Sequence, residues 1–242
     1  MIEINKKRIK IFADGANLDS IDNLSKNPLI DGITTNPTLM KKSGVTNYLL
    51  FSKSAFIASK GKSLSIEVLS NSTEGMIKEA KVLSSIGNTI YVKIPIVNIK
   101  GDSTSKVISK LCKENIKLNI TAVLSNEQID MCAKSLEMNA TAYISIFAGR
   151  IADTGRDPIP FMEYAIQKFS NYKNVEILWA STREVFNIYQ AASCNTDIIT
   201  ITPELFNKLS LRNYDLKKLS VETVKMFYSD SLLANYSILP DN

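Results

Sequence analysis

The 242-residue chain contains no histidine, and that absence removes more chemistry than any other feature of its composition. Imidazole is the usual general base near neutral pH and the commonest metal ligand. Without it, Ser-His-Asp and Cys-His catalysis are excluded, and a zinc-dependent hydrolase or aldolase lacks its customary ligands. Cysteine is scarce as well. Cys112, Cys132 and Cys194 are odd in number and show no CxxC spacing, so neither a disulfide framework nor a zinc site is expected and all three read as small core or helix residues. No long hydrophobic run occurs. The residues before Asp14 are Lys-rich with a short apolar stretch, which fits neither a secretory signal nor a membrane span and points to a cytoplasmic protein with no membrane partner. Basic residues exceed acidic ones, 29 against 24, for a net charge of +5. They are dispersed in runs no longer than Lys6-Lys7-Arg8, so no nucleic-acid partner is expected, whereas a modest positive field suits an anionic substrate. Any catalysis must rest on Lys, Asp, Glu, Tyr or Cys.

What is present is a chain long enough, at 45% hydrophobic residues, to bury the core of a single domain spanning residues 1–242. Eight short β-rich apolar runs recur along it: 9–13, 32–35, 64–69, 90–95, 117–124, 142–148, 175–180 and 198–202. Amphipathic stretches lie between them, such as Ile129, Cys132, Ala133 and Leu136 at i, i+3, i+4 and i+7. Helix starts carry chemical marks. Ser125 to Gln128 and Ser181 to Glu184 both read as capping boxes, and Thr202 precedes a first-turn Pro203. Gly87 and Asn195 stand where helices should end in a left-handed cap. The repeat from residue 90 to 116 and from 116 to 142 is 26 residues each time, one strand-helix unit with short loops. Eight such units predict a (β/α)8 TIM-type barrel with a C-terminal helical extension from about residue 203. A doubly wound open sheet is the main alternative, but no Gly-rich phosphate loop follows the first strand.

In such a barrel the C-terminal strand ends line the active site, and this chain interrupts nearly every strand there with a polar side chain. They are Asp14, Asn36, Glu67, Lys93, Asn119 with Thr121, Ser145 beside Phe147, and Ser181. Alternation places Tyr91, Lys93 and Pro95 on one face and Val92, Ile94 and Ile96 on the other, wholly aliphatic one. Lys93 therefore points into the barrel, as Glu67 does between outward Ile66 and Val68. An interior ammonium is costly, and burial favours the neutral amine, a nucleophile that condenses with carbonyls. A lysine, two carboxylates and several hydroxyl and amide groups suffice for imine chemistry. Structural readings stand beside these: a Lys93–Glu67 ion pair, helix caps at Asn36 and Ser181, and a turn at Asp14 before Gly15. Convergence on one end of one barrel favours a site.

The segments FADGANLDSI, GITTNPTLM, IEVLS, YVKIPI, NITAVLS, YISIFAGRI, WASTRE and DIITITPEL, in this order over most of residues 9–205, resemble those of transaldolases, particularly the short bacterial type related to fructose-6-phosphate aldolase. The resemblance implies a metal-free, cofactor-free enzyme of the pentose phosphate pathway that acts on sugar phosphates and forms a homo-oligomer. It implies Lys93 as the Schiff-base lysine, Asp14 as the acid-base carboxylate at the C4 hydroxyl, and Glu67 with Thr121 as the pair that orients the catalytic water. Asn36, Asn119 and Ser145 match residues that bind the dihydroxyacetone moiety, and Arg150, Ser181 and Arg183 match the phosphate site. Two guanidiniums and a hydroxyl at a helix N-terminus would make an anion clamp. Fructose-6-phosphate aldolases typically carry glutamine and tyrosine where Glu67 and Phe147 stand, so transfer is expected over release of free dihydroxyacetone. A non-catalytic binding barrel is the more distant reading, and imine trapping separates it. The chain departs from the family pattern at Ile146, usually proline, at Ala13 and Gly15 around Asp14, and beyond Leu205, where no motif matches.

Overall fold

The computed structural model describes residues 3–4 and 7–238. A short antiparallel hairpin, Glu3–Ile4 with Lys7–Arg8, precedes the barrel. Eight barrel strands follow among the described residues: β1 (Lys10–Asp14), β2 (Ile30–Thr34), β3 (Ser63–Glu67), β4 (Ile90–Pro95), β5 (Leu118–Val123), β6 (Ala142–Ile146), β7 (Val175–Trp179) and β8 (Ile198–Ile201). Each pairs in parallel with the next, and β8 returns to β1, so the sheet closes on itself. The predicted (β/α)8 barrel is present. The hairpin was not anticipated, because two-residue strands rich in charge carry no periodic signal.

Helices α1 (Leu18–Ser25), α2 (Pro37–Lys42), α3 (Tyr48–Ala58), α4 (Thr73–Ser84), α5 (Ser105–Lys113), α6 (Asn126–Ser135), α7 (Ala148–Asp153), α8 (Ile159–Lys168) and α9 (Phe186–Ser193) separate the strands, and α10 (Pro203–Lys208) follows β8. The outward strand residues Ile33, Leu64, Ile66, Val92, Ile94, Leu118, Ile120 and Ile144 are fully buried, each worth about 1.5–3 kcal/mol against exposure. The Ser125 capping box forms in full, and Thr202 Oγ1 accepts from Leu205 N. Asn195 takes the left-handed conformation at φ +61°.

Two local expectations are corrected. Gly87 is not a left-handed cap; its missing side chain makes room for the Phe56 ring, which an added Cβ would overlap. The Ser181 box does not form either, because α9 starts at Phe186 and Ser181 sits at φ +64°. Asn187 instead accepts from the Arg183 and Glu184 amides.

Inside the barrel, Phe12, Tyr91 and Tyr143 make an aromatic layer. Tyr91 and Tyr143 stack at 3.9 Å between centroids, and Phe12 meets Tyr143 edge-on at 5.5 Å. Gly32 permits that layer, since a Cβ there would stand 2.7 Å from the Phe12 ring. Two residues further along the same strands come Asp14, Lys93 and Ser145, so alternation lifts the polar groups above an apolar floor. The chain comprises two compact units, 1–206 and 207–242. The second contains a 3-10 turn (Leu209–Leu211) and α11 (Leu216–Leu233).

Candidate active site

A cavity of about 540 Å³ opens at the C-terminal ends of the barrel strands. Asp14, Asn36, Glu67, Lys93, Asn119, Thr121, Ser145, Phe147, Arg150, Ser181 and Arg183 all line it. The eleven residues picked from sequence thus share one space, together with Thr34, Lys42, Thr182, Thr200 and Thr202, which were not picked.

Lys93 stands at its centre, only 6% exposed. Its Nζ donates to the Thr35 carbonyl at 2.8 Å and lies 3.4 Å from Glu67 Oε2. Strand pairing explains the second contact, since Glu67 and Lys93 are register partners on β3 and β4. Tyr48 anchors the other side of Glu67 by donating its hydroxyl to the Glu67 carbonyl. Asp14, on β1, accepts from Thr34 Oγ1 at 2.8 Å. Burial pushes the Asp14 carboxyl above the ordinary aspartate range, opposed by the charge of Lys93 and the Thr34 hydrogen bond.

A buried hydrogen-bonded row crosses three strands beside Lys93. Ser145 Oγ donates to Asn119 Oδ1 at 2.6 Å, and Asn119 Nδ2 donates to Ser65 Oγ at 3.0 Å. Thr121 Oγ1 is buried without a protein partner, a hydroxyl left over for a bound molecule or water. The following residue, Ala122, is held at φ +57° where β5 loses register with β6. Such backbone costs on the order of 1–3 kcal/mol and tends to collect at functional sites. Asn36 caps α2 through its Oδ1, which accepts from Leu39 N, so its structural reading holds while it also faces the cavity.

The opposite wall is cationic. Arg150 on α7 rises over the Phe147 ring at 5.9 Å, and Arg183 grips Asp153 with Nε at 3.2 Å and Nη2 at 2.5 Å. Gly149 lets α7 press against the Ser181 backbone, where any Cβ would overlap the Ser181 carbonyl. The expected helix N-terminus under Ser181 is absent; Ser181, Arg183 and Arg150 approach through a left-handed turn and this glycine contact instead.

Comparison with known proteins decides the family. The model described as transaldolase/fructose-6-phosphate aldolase matches residues 11–234. The chain belongs to the transaldolase/fructose-6-phosphate aldolase family. The match runs past Leu205, where sequence motifs gave out, and takes in the whole of α11. Among its relatives is a Methanococcus vannielii protein named "Probable transaldolase", 34% identical over 88% of this chain and 94% of the relative. A protein of the same name from Syntrophobacter fumaroxidans is 36% identical over 88% and 94%. In solved structures the barrel is similar to a dihydrodipicolinate synthase family protein from Coccidioides immitis (TM-score 0.62, 12% identity, 95% of this chain and 78% of that one). It is also similar to N-acetylneuraminate lyase from Mycoplasma synoviae (TM-score 0.55, 12% identity, 93% and 81%). At such identities these two speak for the fold alone. Family membership makes the chain a transaldolase-type aldolase, in a family that binds sugar phosphates.

The residues that sequence reading missed are informative. Thr34 and Thr200 are ordinary strand residues by type, and the Thr35 carbonyl that receives Lys93 is backbone. Only strand order brings them to the site.

Proposed function

We propose that this family member is a transaldolase that transfers a dihydroxyacetone unit through a Schiff base on Lys93. The observation that carries the reading is the buried Lys93 amine, aimed at the Thr35 carbonyl beside Glu67 and sharing its cavity with Asp14. Lys93 passes its ammonium proton to Glu67, and the neutral amine attacks the C2 ketone of fructose 6-phosphate or sedoheptulose 7-phosphate and forms a carbinolamine. Glu67 donates a proton to the departing C2 hydroxyl, water leaves, and the iminium remains as the electron sink. Thr121, with its unpaired hydroxyl, holds that water. Asp14 then takes the C4 hydroxyl proton, the C3–C4 bond breaks, and its electrons move into the iminium to give an enamine while the aldose phosphate leaves. The enamine attacks glyceraldehyde 3-phosphate or erythrose 4-phosphate in the reverse sequence, Asp14 returning its proton to the new C4 hydroxyl. No metal or organic cofactor enters.

Asn119 and Ser145, already aligned with each other, hold the C1 and C3 hydroxyls together with Asn36. Arg150, Arg183 and Ser181 take the phosphate at the far wall by charge-assisted hydrogen bonds. This chemistry belongs to the pentose phosphate pathway and to the cytoplasm. The assembly is a homo-oligomer.

Borohydride reduction in the presence of fructose 6-phosphate tests the reading. It should inactivate the protein and leave a three-carbon adduct on Lys93 by peptide mass mapping, with chelators lacking effect. An adduct on another lysine, or activity abolished by EDTA, would overturn the mechanism.

A further inference from the structure

Asp14 is the terminus of a chain of hydroxyls that the mechanism above does not use. Thr34 Oγ1 lies 2.8 Å from Asp14 Oδ1, and Thr200 Oγ1 lies 2.6 Å from Thr34 Oγ1. Both threonines are buried, and they come from β2 and β8, the two strands that flank β1. Resting on the proposed acid-base role of Asp14, we propose that Thr200 and Thr34 are positioning residues: a one-way hydroxyl chain that commits Oδ1 of Asp14 to accepting and leaves Oδ2 to take and return the substrate proton.

The direction follows from counting protons. An ionised carboxylate can only accept, so the single proton of Thr34 goes to Asp14. Thr34 is then left with lone pairs, and the 2.6 Å contact requires Thr200 to be the donor. Reversing the chain after Asp14 is protonated would send the Thr200 proton elsewhere. Among the described residues Thr200 Oγ1 makes no hydrogen bond besides that to Thr34. Keeping the chain intact therefore puts the transferred proton on Oδ2.

The chain also sets when Asp14 is charged. Lys93 and Glu67 are the charged groups that face it. Burial raises its carboxyl most strongly, Lys93 and then the Thr34 bond oppose that, and Glu67 adds to the rise. Loss of the Thr34 donor removes stabilisation of the ionised form, so Asp14 would remain protonated to higher pH. The base form needed for cleavage would appear later along the pH axis.

The test is the pH dependence of kcat for fructose 6-phosphate cleavage, with erythrose 4-phosphate as acceptor, in the parent and in Thr34→Val, Thr34→Ser and Thr200→Val. Thr34→Val is isosteric and should move the acidic limb upward by about one pH unit, the scale of a hydrogen bond to a charged group. Below the limb it should lose roughly tenfold in kcat. Thr200→Val should move the limb the same way by less, and Thr34→Ser, which retains the hydroxyl, should leave it in place. A limb that stays put in Thr34→Val, or shifts equally in Thr34→Ser, would overturn the chain and leave only packing. The parent's borohydride adduct keeps the two questions apart. A parent that traps substrate on Lys93 but whose variants do not shift refutes the hydroxyl chain alone, while a parent that traps nothing refutes the transaldolase reading on which it rests.

Discussion

Phe147 carries no proton, and it stands where a proton would matter. Its ring lines the cavity one residue past the end of β6, under the guanidinium of Arg150. Release of free dihydroxyacetone needs a proton at the enamine carbon and water at the imine, whereas transfer needs neither until the acceptor arrives. On the proposed mechanism, an apolar wall would therefore protect the enamine between half-reactions. Phe147→Tyr adds a hydroxyl that can donate or order water, so formation of fructose 6-phosphate from free dihydroxyacetone and glyceraldehyde 3-phosphate should rise relative to transfer. A positioned proton donor contributes about 10²–10⁴-fold, and a change in the ratio of about a hundredfold would be at the modest end of that effect. An unchanged ratio, or a parent that already prefers the free three-carbon ketone, would promote the aldolase reading within the same family. At this scale the sequence was legible wherever a residue contradicted its surroundings. Lys93 and Glu67 interrupt aliphatic strands, and a charge facing inward calls for a partner. Thr34 and Thr200 went unseen because threonine is an ordinary strand residue, and their roles depend on which strands become neighbours when the ring closes.

The element that fixes the wall proposed to take the phosphate is α7, six residues long. Alone so short a helix is marginal; its position comes from packing. Ala148, Gly149 and Ile151 are buried, Gly149 N donates to the Ala180 carbonyl at 3.4 Å, and Asp153 at its last turn holds Arg183. Arg150 and Arg183 are thereby tied to the same helix although they lie on different elements. Gly149→Ala should disrupt that arrangement, because the new Cβ would overlap the Ser181 carbonyl and backbone cannot yield as a side chain can. Overpacking of this kind costs about 1–3 kcal/mol, visible as a lower denaturation midpoint. The loop of Ser181 to Arg183 should shift with it, raising KM for phosphorylated substrates while borohydride still traps dihydroxyacetone on Lys93. A variant as stable as the parent with equal KM would show that the contact has no such function. Strands and most helix starts were legible as elements, with ends displaced by one or two residues where apolar runs continued past the last ladder bond. The start of α9 was misread for a physical reason: Ser181 to Glu184 has the composition of a capping box, but the turn that brings Ser181 to the cavity takes φ +64°, and a helix cannot begin there.

On the scale of the whole molecule, the second compact unit poses its own question in the surface of α11. None of its eighteen residues is buried. Val221, Val224, Tyr228 and Leu232 follow one another at helical spacing and are all more than half exposed, so they form an apolar stripe along one face. A contiguous exposed apolar surface marks an interaction site more often than idle decoration, and a net charge of +5 does not prevent two copies from meeting over an uncharged stripe. The expected occupant is a second copy of this chain, in keeping with the homo-oligomer proposed above. Light scattering coupled to size exclusion should then give a mass that is a multiple of 26.9 kDa at micromolar concentration. Val224→Glu with Tyr228→Glu places charges in the stripe, and a buried unpaired charge strongly opposes association, so the double variant should fall to a smaller species. Because the cavity lining is drawn from residues 14–202, Lys93 should still form a reducible adduct in that variant. A parent that runs as a monomer, or a double variant of unchanged mass, would refute the assignment of this face to self-association.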